Sequence, residues 1–401
     1  MDSSFWNGRG KMRILTIDVG SYTHRDLLTK LREMGYSFHN VRYCFEKNNW
    51  DQVYCNEEFE QLFCHELEAG YDCVITTNFF PIIARICHEK NDVKYLAWSY
   101  DSPMNLPSTE EMEHPTNYIF LFDKAETLKY LNMGFDNVYH LPLAVNCDRL
   151  DRCVPEERFL TDISLMGQLY ESTLPVLKRI MNSYQQEFVD KLVQTQLNIY
   201  GNWFVDQMLT DNIMADINAH FLSLSNDAIQ LTRAQLSYSI AQQITHIERI
   251  TLLRLFHNMG YKVDLYTYSL SEAEKELLGC INVHGSVGYF TEMPALFKSS
   301  KINLNPTLKN ISSGIPLRAL DVMGCKGFLL TNYQPEIQEY FKDGEELVIY
   351  KSMEEAVDKA SYYLSHDDER RRIALNGYNK IREEFCYEKR IKKMFKVAGL
   401  E

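Results

Sequence analysis

The densest run of side chains that could do chemistry is Lys309-Asn310-Ile311-Ser312-Ser313-Gly314-Ile315-Pro316-Leu317-Arg318-Ala319-Leu320-Asp321-Val322-Met323-Gly324-Cys325. Ile302 to Asn305 reads as a strand leading into this loop. Pro316 is a favoured first helical position, so a helix is expected to open there with Ser312 or Ser313 as its cap. The unpaired N–H groups at a helix start can hold a diphosphate without any net positive charge on the protein. Asn310 and Gly314 belong to the same loop, and Lys309 and Arg318 flank the spot, where they would add charge-assisted hydrogen bonds. Asp321 lies one turn further in, where a carboxylate can accept hydrogen bonds from a ribose diol. The competing reading is an ordinary capped strand–helix unit in which Arg318 and Asp321 pair with each other.

Three other places carry candidate residues. Gly167, followed by Gln168 and Tyr170, ends a strand, and a glycine there lets a ligand approach the backbone closely. His284-Gly285 ends another strand at the same edge. Tyr100-Asp101-Ser102-Pro103 follows a strand of the first half, where Asp101 is placed to hold a hydroxyl group, although the same residues are natural turn formers. Gly20-Ser21 follows the first strand, but no G-x-G-x-x-G is present, which counts against a dinucleotide oxidoreductase. The chain also lacks H-E-x-x-H, G-x-S-x-G and P-loop motifs, and it has no Asp-x-Asp pair to hold a divalent ion on a diphosphate.

The elements that must position these residues alternate along the chain. Met12 to Asp18, Cys73 to Thr77, Lys94 to Ser99, Tyr118 to Phe122 and Val138 to Leu141 read as strands, with helical patterns at Leu27–Met34, Ile82–His88 and Ala125–Met133. Such alternation predicts a parallel sheet with helices on both faces, and ligands at the carboxyl ends of the strands. A second cycle starts at Asp162 to Met166 and resumes at Val263–Tyr266, Ile281–Val283, Ile302–Asn305, Phe328–Thr331 and Leu347–Tyr350. Between them, about 174–251, the pattern is long and helical. The expected organisation is therefore a Rossmann-like domain over 1–150, a second over 151–385 containing a helical insertion, and a tail over 386–401. A cleft is expected between the two domains.

Composition narrows the partners. Of 401 residues, 42 are basic and 55 acidic, a net charge of −13, which disfavours nucleic acid. The ten cysteines form no CxxC pair and several sit in apolar runs, the pattern of reduced core thiols in a cytoplasmic protein. The first 11 residues are polar and show no apolar leader, and no stretch approaches the roughly 20 apolar residues that span a bilayer.

The segment 309–325 resembles the donor site of GT-B glycosyltransferases, whose pattern is E-x7-E-A-M-A-C-G. Asp321-Val322-Met323-Gly324-Cys325 matches its second half, and Ser313 replaces its first glutamate. The whole chain is most similar to the CgeB-like, spore-maturation-type glycosyltransferases. The stretches that carry this are Trp98–Pro103, Asp162–Gly167, Ser300–Asn305, and Ile315–Asp321 running on to Gly327–Asn332. Leu141–Leu150 resembles the P-x-G-V-D-x-x-x-F hinge of that fold. The resemblance implies a UDP-type nucleotide sugar bound by the second domain, with Gly167, Tyr170, His284, Gly285, Lys309, Asn310, Ser312, Ser313, Gly314, Arg318 and Asp321 as contacts. His284 and Gly285 would pack on the base, and Asp101 and Arg318 would serve the transfer itself.

It further implies a retaining, metal-independent transfer with no separate cofactor, to a protein, glycan or other acceptor held by the first domain. Association of copies through the helical insertion is an accompanying expectation. Two rivals remain open at this point: a nucleotide-sugar epimerase on the same fold, and an inactive binding or assembly protein, the latter motivated by Ser313 and the insertion.

Overall fold

The computed structural model describes residues 12–45, 50–104, 106–225, 227–228 and 230–401. The polar segment 1–11 lies outside them. The chain divides into two compact units, Met1–Asn146 with Glu384–Glu401, and Cys147–Glu383.

The first unit is built on β1 (Arg13–Asp18), β2 (Ser37–Arg42), β3 (Cys73–Thr77), β4 (Lys94–Ser99), β5 (Asn117–Leu121) and β6 (Val138–His140). They form one parallel sheet in the order β2-β1-β3-β4-β5-β6. The central strand β3, Cys-Val-Ile-Thr-Thr, is buried along its whole length, as a strand covered by helices on both faces must be. The edge strand β2 carries Ser37, His39, Asn40 and Arg42 and no residue of it is fully buried, so its polar composition hid it from the sequence reading.

The last residues are not a tail. They form the helix Tyr387–Val397, which belongs to the first unit. Phe395 meets Tyr36 edge-on at 5.0 Å, Tyr387 packs against Trp98 at 5.7 Å, and Lys94 Nζ donates to the Ala398 carbonyl at 2.6 Å.

The second unit holds β7 (Thr161–Met166), β8 (Val263–Tyr266), β9 (Asn282–His284), β10 (Ser300–Asn305), β11 (Leu329–Asn332) and β12 (Val348–Tyr350). This sheet is also parallel, in the order β12-β11-β10-β7-β8-β9. The order reverses direction between β7 and β10, and adjacent crossovers leaving to opposite sides open a crevice there.

Between β7 and β8 lie the helices Leu174–Ile180, Ser183–Leu197, Val205–Met208, Asp211–Leu224 and Arg233–Asn258. The last begins with a capping box between Thr232 and Gln235 and runs 26 residues, past the end expected near 251. Its first half packs Leu236, Ile240, Ala241 and Ile244 into a core shared with the preceding helices. Its second half packs Ile250, Leu252, Leu253 and Phe256 into the core of the sheet. One helix thus joins the two cores of this unit.

Candidate functional site

The site grows from the ends of β7 and β10. Gly167 follows β7 at φ +150, and its amide donates to the Tyr266 carbonyl at 2.9 Å. A Cβ there would stand 3.2 Å from Arg249 Nη1, so both backbone conformation and space call for glycine. Tyr170, at φ +61, turns its ring beneath the Arg249 guanidinium at 4.9 Å.

Arg249 was not singled out from the sequence. It projects from the helix Arg233–Asn258 into the gap between the two loops. Nε and Nη2 donate to the Pro306 carbonyl at 3.2 and 2.5 Å, and Nη1 donates to the Gln168 carbonyl. It therefore ties the loop after β7 to the loop after β10. Burial pushes its pKa below the usual arginine range, and the nearby Arg318 cation adds to that. Among the described residues no carboxylate forms an ion pair with it. The signal available in the sequence was a pair of charges, Glu248-Arg249, inside the apolar helical run Ile244 to Leu253.

Glu248 faces the other way and claims Lys309. Lys309 Nζ lies 3.0 Å from Glu248 Oε2 and 3.5 Å from the Tyr200 ring centroid. The hydroxyls of Tyr200 and Tyr350 donate to Glu248 Oε1 at 2.9 and 3.2 Å. The Lys309 amide donates to Thr245 Oγ1 at 3.1 Å, which turns the loop back over the helix. Burial lowers the lysine's pKa, and Glu248 opposes that shift. Lys309 was expected to flank a phosphate. It is instead neutralised inside the protein, because the loop folds it onto the one carboxylate the helix buries.

The helix after β10 spans Leu317–Gly324. Pro316 is its N-cap residue at ψ 148, not its first helical residue, and it makes no side-chain capping hydrogen bond. Ser313 is not a cap either. Its Oγ donates to Glu336 Oε1 at 2.8 Å and its carbonyl accepts the Glu336 amide at 3.2 Å, both residues being buried. Ser312 is half-buried, and Gly314 and Asn310 are buried. Asn310 Oδ1 has no hydrogen-bond partner among the described residues.

Arg318 lies over the Phe297 ring at 5.5 Å and donates to Met293 Sδ at 3.1 Å. It also stands 3.8 Å from Asp321 Oδ2, which realises the pairing weighed as the competing reading. Asp321 is buried and accepts the Tyr289 hydroxyl on Oδ1 at 3.1 Å.

At the β9 edge, His284 stacks on Tyr266 at 4.5 Å and pairs through Nε2 with Asp264 Oδ1 at 2.5 Å. Its orientation is fixed while two-fifths of its side chain stays exposed. Thr267, Tyr268, Leu278, Val283, His284 and Gly285 help line an open pocket of about 420 Å³.

Asp101 belongs to the first unit. It accepts the Asn78 side-chain amide at 2.7 Å, and the Tyr100 amide donates to the same asparagine's Oδ1 at 2.7 Å. Desolvation raises the Asp101 pKa and the Asn78 hydrogen bond partly offsets it. Asn78 adopts φ +77 to serve both partners.

The second unit thus sets Gly167, Tyr170 and Arg249 at the ends of β7 and β10, with Arg318 near Arg249 and Asp321 beside Arg318; it places His284 and Gly285 at the β9 edge and holds Lys309 on Glu248. Residues 255–396 match the family described as glycosyl transferase-like. No curated protein matches the chain in sequence. Among solved structures, a sucrose-phosphate synthase from Thermosynechococcus elongatus aligns with TM-score 0.58 at 10% identity, over 96% of this chain and 98% of its own. A glycosyltransferase from Rickettsia africae aligns with TM-score 0.57 at 11% identity, over 97% and 98%. Anabaena HepE, in complex with UDP and glucose, aligns with TM-score 0.53 at 9% identity, over 97% and 99%. The fold is therefore GT-B, the two-domain Rossmann-like fold of glycosyltransferases, and its C-terminal part carries a glycosyltransferase-like sequence.

Proposed function

We propose that this protein is a glycosyltransferase that moves a sugar from a nucleotide-sugar donor, UDP-linked, to a hydroxyl-bearing protein or glycan acceptor. The observation that carries the reading is Arg249: a buried guanidinium, paired with no carboxylate among the described residues, close enough to Arg318 for the two charges to repel. Two cations held together beside a helix N-terminus at the switch point of a parallel sheet favour an anion. A diphosphate fits the demand, and its charge would compensate both arginines. UDP as the nucleotide is supported by the HepE structure, whose ligands are UDP and glucose.

In this reading the bond between the anomeric carbon and the β-phosphate oxygen breaks while the acceptor oxygen bonds to that carbon. The acceptor's proton passes to the departing diphosphate. Arg249, Arg318 and the start of the helix Leu317–Gly324 stabilise the charge on the leaving group. The missing Asp-x-Asp pair motivates a metal-independent reaction, and the resemblance to the E-x7-E pattern motivates retention. His284 and Gly285 are assigned to the base side, and acceptor binding, with Asp101 as a hydroxyl contact, to the first unit.

The test is incubation with UDP-glucose, UDP-N-acetylglucosamine and GDP-mannose, following release of nucleoside diphosphate. Slow hydrolysis of a UDP donor, with UDP binding by calorimetry, supports the reading. Absence of both UDP binding and donor hydrolysis overturns it.

A further inference from the structure

We propose that Tyr289 makes the Asp321 carboxylate selective for ligands that carry a vicinal diol, by occupying it until such a ligand displaces the phenol. The proposal rests on the reading of Asp321 as the ribose contact. Asp321 is buried, yet a carboxylate taken out of water must have hydrogen-bond donors. Tyr289 supplies one, 3.1 Å from Oδ1, while Arg318 stands 3.8 Å from Oδ2. A phenol O–H donating to a carboxylate is the same interaction a sugar O–H would make, so the tyrosine stands where a ligand hydroxyl belongs.

The surroundings separate what is held from what can move. Tyr289 lies in the segment 285–291 between β9 and the helix Glu292–Ser299. Its backbone is fastened: Arg149 Nη1 donates to the carbonyls of Tyr289 and Phe290 at 3.4 and 3.3 Å. Glu292 Oε2 accepts the Gly288 amide at 2.8 Å, and Glu292 Oε1 accepts Arg158 at 3.1 Å. The side chain is half-buried, and its ring lies under the Arg149 guanidinium at 4.8 Å. Rotation about χ1 would carry the hydroxyl off Asp321 and the ring off Arg149 while these backbone hydrogen bonds hold the loop. A ribose diol offers two O–H donors where the phenol offers one, so exchange favours the diol. A ligand without the diol has nothing to offer Asp321 and leaves the tyrosine in place.

The test is calorimetry of UDP and of 2′,3′-dideoxyuridine diphosphate with wild type, Tyr289→Phe and Asp321→Asn. Tyr289→Phe keeps the ring under Arg149 and removes the competing hydroxyl. It should bind UDP about three- to tenfold more tightly, the size of one hydrogen bond to a charged group net of its replacement. Its affinity for the dideoxy compound should not change. Tyr289→Leu, a second side chain without a hydroxyl, should move UDP affinity in the same direction. If Asp321→Asn leaves UDP binding unchanged, the ribose reading itself fails. If Asp321→Asn weakens UDP while Tyr289→Phe leaves it unchanged or weaker, the Tyr289 proposal alone is overturned.

Discussion

Lys309 Nζ sits 3.0 Å from Glu248 Oε2, and neither side chain retains meaningful contact with solvent. The attraction within the pair is chiefly Coulombic. In the proposed reading its consequence is subtraction: it takes a cation away from the candidate anion site and leaves that work to Arg249 and Arg318.

Lys309→Met should therefore act on stability. It leaves a buried carboxylate without its counter-ion, a change that costs about 3–5 kcal/mol in comparable pairs. The double variant Lys309→Met with Glu248→Gln should recover most of that loss, because the uncompensated charge is gone. Chemical denaturation of all three proteins measures it. A Lys309→Met protein of normal stability that has lost UDP binding would return Lys309 to the ligand.

Arg318→Ala should weaken nucleoside diphosphate binding by roughly 1.5–3 kcal/mol, the usual value of a hydrogen bond to a charged group. Arg318 is a quarter exposed and its own partners are a thioether and a carboxylate 3.8 Å away, so the fold should tolerate the change. Unaltered affinity in a folded variant would remove Arg318 from the site.

Gly167→Ala should disturb the anion site through Arg249. The new methyl would press on Nη1 at 3.2 Å in a backbone region that L side chains rarely adopt. Lower thermal stability together with weaker UDP binding is expected. A variant with normal UDP affinity would show that the Arg249 position does not govern the ligand.

Donor hydrolysis should survive excess EDTA, since arginines and helix N–H groups are proposed to carry the diphosphate charge. Complete loss, restored by manganese or magnesium, would overturn that proposal.

Glu126 gives the first unit a pH dependence of its own. Burial pushes its pKa up to about 7 from 4.5, against the opposing hydrogen bond from the Met104 amide at 2.8 Å. The folded state thus holds the proton more tightly than the unfolded state. Its contribution to stability is full below about pH 4.5, declines as pH rises toward 7, and is gone above that. Glu126→Gln can still accept the Met104 amide and carries no charge. It should flatten the fall in unfolding free energy between pH 5 and 7.5, and be the more stable protein at pH 8. An unchanged slope in the variant would assign the pH dependence elsewhere.

Much of the architecture was readable from residue order. Cys73-Val74-Ile75 is apolar because both faces of a parallel strand are covered, and that demand is local. The loop-to-helix step at 306–317 was readable for the same reason, since proline, serine and glycine restrict the backbone wherever they stand. What each polar side chain touches was not readable, because partners are set by contacts far apart in the chain. Ser37–Arg42 became a strand because β1 lies beside it, against its own polar composition. The segment after 384 became a helix of the first unit because Trp98, Tyr36 and Lys94 receive it.

At the site the same division holds. The sequence determined that Gly167, Arg318 and Asp321 stand at strand ends and a helix start. Only the tertiary structure decided that Lys309 is spent on Glu248, 61 residues earlier in the chain, that Asp321 accepts Tyr289, and that Arg249 is buried between the two loops. The physical reason is that backbone preferences act over a few residues, whereas charge compensation acts over a few ångströms, and folding alone determines which residues those ångströms join.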